Sequence, residues 1–308
     1  MKIRMLALSL MLASGTGVTL ASPTQCENKS FSLQLLGSGG PISDDGRASS
    51  ASLIWWKNKP VAMIDAGGGA FLRFGQSGAR LEDVRFIGLT HFHTDHVSDL
   101  PALFKGSYFF SSPRAIEMSG PTSGAGFPSL SGFMNAQFNA KNGAYAYLSG
   151  IYSGQGDIPL KVSLSNVDYR KTTPTKVYEK DGVSISALGI PHGNVPCLAY
   201  RIDTKDGSIV VSADQNGSNP HFLDFAKNAD ILVMPLAIDE QADPSSAFLH
   251  AKPSAVGRIA AAVKPKQLVL NHFMGKGLRL KEQSISIVRR YYKGPIYASR
   301  DLSCFPEH

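Results

Sequence analysis

Apolar residues in this chain come in short runs, and most of the runs have the length and alternation of strands. Phe31 to Ser38, Ser50 to Trp56 and Val61 to Ile64 read as three strands, the first two joined by a turn-rich segment from Gly39 to Gly46. Asp65-Ala66-Gly67-Gly68-Gly69 then allows a tight turn into a helix beginning at Ala70 to Phe74. Those glycines are contiguous, so they lack the spacing of a dinucleotide fingerprint. Phe86 to Leu89 is a short buried run, and Val97 to Phe104 continues as a helix. The pattern changes from Tyr108 to Gly156, where Gly and Ser are mixed with aromatic residues and only Phe127 to Phe138 suggests a helix. Those aromatics could line a pocket or pack beneath a long excursion of the chain.

Period-two alternation returns after Lys161 and is clearest at Val183 to Leu188. Leu198 to Ile202, Ile209 to Val211, Ile231 to Met234, Gln267 to Leu270 and Ile296 to Ser299 follow as strands. Ser254 to Val263 and Gln283 to Tyr292 read as helices between them. There is no tandem sequence repeat and no linker. The order predicts an α/β fold: two mixed sheets packed together, with helices outside, in one domain.

Composition changes this picture at the N-terminus. The chain has 308 residues, 43% of them hydrophobic, which is ample for a large core. Lys2 and Arg4 precede an apolar run from Met5 to about Leu12, and small residues lead to Thr19-Leu20-Ala21. Residues 1–21 are expected to be a Sec-type signal peptide and 22–308 the functional domain. The run is too short for a membrane anchor, and no later segment could span a bilayer, so no stable membrane insertion is expected. The expected location is the periplasm or outside the cell. Cleavage would remove two of the charges behind the formal +7, and the surplus that remains favours anionic ligands weakly. Of the three cysteines, Cys26 and Cys304 would be natural disulfide partners if the chain ends meet, leaving Cys197 as a buried thiol in a core strand.

Candidate chemistry is concentrated in Thr90-His91-Phe92-His93-Thr94-Asp95-His96, directly after the Phe86 run. Imidazole nitrogens and a carboxylate suit a borderline divalent ion. Three more residues end apolar strands: His192 in Ile190-Pro191-His192, Asp214 in Val211-Ser212-Ala213-Asp214, and His272 in Leu270-Asn271-His272. Singly each would pass for a satisfied polar residue. Together, His91, His93, Asp95, His96, His192, Asp214 and His272 are enough for two ions. Asp65 could brace the ligand loop.

These residues resemble the metallo-β-lactamase fold superfamily of dinuclear hydrolases, through His91-x-His93-x-Asp95-His96, His192, Asp214, His272 and the upstream Asp65-x-Gly67. The resemblance covers Phe31 to Cys304 and is closest to the ribonuclease Z and arylsulfatase-like branch, by Pro191-His192, Tyr200-Arg201-Ile202, His250 and, more loosely, Ala298-x-x-Asp301. It implies a four-layer αββα sandwich. It also implies that His91, His93 and His192 hold one metal, that Asp95, His96 and His272 hold the other, and that Asp214 bridges them. Two divalent ions are implied, zinc first and Mn²⁺ or Fe²⁺ as alternatives, with a hydroxide between them as nucleophile. Asp95 and His250 are the catalytic candidates, His250 stabilising or protonating the leaving oxygen.

The bridging aspartate argues against β-lactamase activity as the main one, and His93 stands where diiron reductases of this fold carry Glu. Short bacterial ribonuclease Z has a tRNA-gripping arm between its counterparts of His192 and Asp214, whereas only residues 193–213 lie between them here. No tRNA partner is therefore expected. The expected substrate is a small anionic phosphodiester or sulfate ester. Lys276, Arg279 and Lys281, in a loop expected to be mobile, are candidates for attracting it. A lactonase or thioesterase is the alternative, a metal-dependent binding protein a weaker one, and a homodimer would fit the branch.

Overall fold

The computed structural model describes residue 26 and residues 30–152 and 158–306. The expected signal peptide lies outside the described residues. Strands β1 (Phe31–Gly37), β2 (Ala51–Trp56), β3 (Lys59–Ile64), β4 (Phe86–Gly88), β5 (Arg114–Pro121) and β6 (Leu160–Val167) build the first sheet in sequence order. Strands β7 (Thr175–Lys180), β8 (Val183–Gly189), β9 (Leu198–Thr204), β10 (Gly207–Val211), β11 (Ile231–Pro235), β12 (Gln267–Asn271) and β13 (Ile296–Ala298) build the second. A final strand, β14 (Cys304–Phe305), returns to the first sheet and pairs with β1.

The two sheets repeat one pairing pattern. In the first, β14, β1, β2 and β3 are antiparallel neighbours and β3 to β6 are parallel. In the second, β7 to β10 are antiparallel and β10 to β13 parallel. Parallel strands need crossovers, and these supply the helices on the outer faces. The result is the expected αββα order.

Three apolar clusters separate the four layers. Phe74, Phe104, Met134 and Phe138 pack between the first sheet and its helices. Phe86, Ile185, Tyr200, Ile209 and Val269 fill the space between the sheets. Phe222, Val256, Ile259 and Val288 close the far side. Full burial of one such side chain contributes about 1.5–3 kcal/mol. Tyr200 does more than fill space. From the second sheet its hydroxyl reaches the carbonyls of Leu89 (3.2 Å) and Ser119 (3.0 Å), the ends of β4 and β5, and so fixes the backbone just before Thr90.

Cys26 and Cys304 form a disulfide, with Cα atoms 5.6 Å apart, and Cys197 is a buried free thiol. No helix among the described residues is long and apolar enough to cross a membrane. Three local expectations are corrected. The helix expected over Val97 to Phe104 is two, Thr94–Val97 and Leu100–Gly106, because Pro101 opens a new first turn. The supposed mobile loop at Lys276 is a short helix, Gly275–Arg279, and the Lys276 ammonium lies 3.0 Å from buried Asp239. The aromatic stretch contains a full strand, β5, paired on both sides.

Candidate metal centre

All seven expected ligands lie at one end of the sandwich, in loops that leave the strands. His91 to His96 follow β4, His192 follows β8, Asp214 follows β10 and His272 follows β12. All but His93 are buried, His91 completely. His250 joins them between the helices Pro244–Leu249 and Pro253–Val263. It is buried too, so it is not a surface histidine.

Four overlapping groups place ligand atoms within 4.8 Å of one another: His91, His93 and His192; His91, His96 and Asp214; Asp95, His96 and His272; and His192, Asp214 and His250. Asp214 connects the halves. Its Oδ2 lies 3.0 Å from His272 Nε2, 3.5 Å from His96 Nε2, 3.9 Å from His192 Nε2 and 3.9 Å from His250 Nδ1. Asp95 Oδ2 lies 3.5 Å from His96 Nε2 and 3.8 Å from His272 Nε2. His93 points Nδ1 inward, 3.0 Å from His91 Nε2 and 3.4 Å from His192 Nε2.

The outward ring nitrogens are held by a surrounding shell. Asp65 Oδ1 accepts the Thr90 backbone N–H at 2.8 Å, and its Oδ2 meets Thr90 Oγ1 at 2.8 Å and His96 Nδ1 at 2.7 Å. Thr90 Oγ1 lies 3.0 Å from His91 Nδ1. The Leu249 carbonyl is 2.8 Å from His192 Nδ1, and Ser50 Oγ is 2.7 Å from His272 Nδ1. Such partners fix ring orientation and leave the other nitrogen's lone pair for a metal. Gly40 belongs to the same construction, since a Cβ there would lie only 3.1 Å from His272 Nε2.

Electrostatics follow from burial and mutual charge. Burial lowers His91, His93 and His192, and pushes His250 down to about 4. Burial opposes the charge on His96, but the Asp65 and Asp214 carboxylates hold it well above the usual range. Burial would raise Asp214, yet His272 and His96 hold it well below. The donor set fits divalent metal on a direct observation. His96 Nε2 and His250 Nδ1 are buried, face carboxylates and neighbouring imidazoles, and have no hydrogen-bond partner among the described residues. Orphaned buried nitrogens are costly unless something binds them.

The candidate ligands are all visible in the sequence, whereas much of their support is not. Thr90 was in plain view in the motif, but Ser50 and Leu249 are remote in sequence and gave no local signal. Phe127 stands against the His93 ring at 5.6 Å and Phe133 stacks on Phe92 at 4.6 Å, so part of the aromatic stretch does wall the site. Phe138 instead lies in the core, and Phe109 is 84% exposed. Cys197 is the expected buried thiol, its Sγ 3.7 Å from His91 Nδ1, and burial pushes it well above the ordinary thiol range.

A two-sheet sandwich with His and Asp side chains gathered where both sheets end is the arrangement of a metal-binding centre. The chain belongs to the metallo-β-lactamase superfamily: residues 62–273 match the family described as the beta-lactamase superfamily domain. A ribonuclease Z from Mycobacterium avium is 29% identical over 186 residues, 59% of this chain and 62% of the relative. The match thus spans less than two thirds of that relative's length. Among solved structures, human tRNase Z, short form, superposes with a TM-score of 0.66 at 18% identity, covering 89% of this chain and 98% of that one. A diphosphatase from the PhnP family gives 0.63 at 16% identity, covering 90% and 98%. The chain is a member of this superfamily, with His/Asp clusters able to hold divalent metal. A ribonuclease Z relative weighs against the expectation that no tRNA is involved.

Proposed function

We propose that this protein is an exported, dinuclear metal-dependent hydrolase of small phosphodiesters. The observation that carries the reading is Asp214, one buried carboxylate oxygen facing ligands from both halves of the chain. His91, His93 and His192 would hold one ion, Asp95, His96 and His272 the other, and Asp214 would be shared. The imidazole and carboxylate donors favour zinc, with manganese or iron as alternatives. Divalent ions there supply a water-derived nucleophile at neutral pH and neutralise charge on the ester oxygens.

The chain's own residues orient the candidate ligands and stabilise the leaving group. Asp65, Thr90, Ser50 and the Leu249 carbonyl hold the imidazoles in fixed orientations. Asp95 orients the second ligand set from beside His96 and His272. His250, buried and facing Asp214, would stabilise the leaving oxygen by hydrogen bonding as a neutral imidazole. A small substrate is supported by the chain between His192 and Asp214, most of which is the β9–β10 hairpin with only Lys205 and Asp206 at its tip. Export is supported by the N-terminal pattern and by the Cys26–Cys304 disulfide, a bond of oxidising compartments.

Metal-loaded protein should hydrolyse bis(p-nitrophenyl) phosphate and lose that activity on chelation. Aryl sulfate, lactone, cephalosporin and precursor tRNA are the competing substrates in the same assay. Lactone opening without diester hydrolysis would overturn the phosphodiesterase reading. Efficient tRNA cleavage would overturn the small-substrate reading.

A further inference from the structure

A cavity of about 580 Å³ lies beside the His192 loop, with Pro191 and Gly193, on either side of His192, in its wall and no candidate ligand lining it. Its size suits a ligand group rather than a water or two. The residues around it include Arg170 and Lys171 and no carboxylate, with Thr172, Asn194 and Ser218 adding neutral polar groups. Asp168, just outside, takes the Arg170 Nε at 3.0 Å. Lys171 forms no ion pair or side-chain hydrogen bond among the described residues, and the Asp168 carboxylate, shared with Arg170, only partly offsets the two positive charges.

The segment carrying these cations is held in place. The Tyr169 carbonyl packs where a Cβ on Gly189 would stand, and the Tyr169 hydroxyl packs where one on Gly124 would stand. Residue 189 must therefore be glycine for the cationic segment to sit against the end of β8. Asn219 braces the same point by donating to the Gly189 carbonyl at 2.8 Å. Phe248, 51% exposed, lies beside Gly193.

We propose that this cavity is the subsite for one arm of the phosphodiester, and that Arg170 and Lys171 select an arm carrying a second anionic group. The assignment rests on the proposed diesterase reading and deepens it. The cations are exposed, so the attraction is water-screened and should give a preference of about tenfold, weakened by salt. The matched probes are thymidine 5′-(p-nitrophenyl phosphate) with and without a 3′-phosphate. Wild-type protein should favour the 3′-phosphorylated diester in kcat/KM by about tenfold, mainly through KM. That preference should fall below about threefold in Arg170→Ala/Lys171→Ala and likewise in Lys171→Glu, which changes the local charge by the same amount. An unchanged melting temperature shows that the variants remain folded. No preference in the wild type, or a preference that survives the double substitution, overturns the subsite. Hydrolysis of bis(p-nitrophenyl) phosphate without any such preference refutes the subsite and leaves the diesterase reading standing. Hydrolysis of no diester refutes both.

Discussion

Strands β3 and β10 hold the same place in their sheets, where antiparallel pairing gives way to parallel, and each runs out into an aspartate. Beyond β3, Asp65 is turned toward protein donors: the Thr90 N–H, the Thr90 hydroxyl and His96 Nδ1. Beyond β10, Asp214 is turned toward the inward nitrogens of His272 and His96. Their electrostatics diverge accordingly. Burial outweighs its partners and raises Asp65, whereas the surrounding imidazoles overcome burial and lower Asp214. One strand end has become scaffold and the other a candidate ligand. The difference lies in what faces each carboxylate, because burial is nearly the same, 3% exposure in both.

Three substitutions test that contrast. Asp214→Asn should have the largest effect, a loss of diesterase kcat/KM beyond the ~100-fold typical for an outer partner of a metal ligand, with both ions depleted by elemental analysis. Asp65→Asn keeps the size but puts an amide where His96 and Thr90 need an acceptor. A loss of ~10–100-fold is expected, with metal retained more fully than in Asp214→Asn. If the two variants lose activity and metal equally, the division between scaffold and ligand collapses. Ser50→Ala should have the smallest effect, about tenfold, because it frees only the outward nitrogen of His272. Metal loss from Ser50→Ala as severe as from Asp65→Asn would mean that the single brace matters as much as the triple one.

The sequence was most readable where one short segment carries both the pattern and the chemistry. Four ligand-type residues within His91 to His96 announce a site, and three strands ending in His192, Asp214 and His272 complete it, because alternation places strand ends well. Elements created by tertiary pairing were not readable. β5 has Gly120 and Pro121 within it and charged Arg114 and Glu117 along it, yet it is a strand because β4 and β6 flank it. β14 is two residues long and exists only against β1. Lys276 looked free because its partner, Asp239, lies just beyond β11 and meets it only after β11 and β12 pair. Ser50 and Leu249 escaped for the same reason, each reaching its histidine across the fold.

The Cys26–Cys304 bond, 278 positions apart in sequence, turns the polypeptide into a closed ring containing every other strand and all seven candidate ligands. A single backbone cut inside that ring leaves one covalent molecule, so a nick in a surface loop need not part the sheet carrying His91 from the sheet carrying His272. The ring also has no privileged starting point. New termini opened at Lys205 and Asp206, on the tip of the β9–β10 hairpin, would keep the cyclic order of the strands. The molecule is in this sense already prepared for circular permutation.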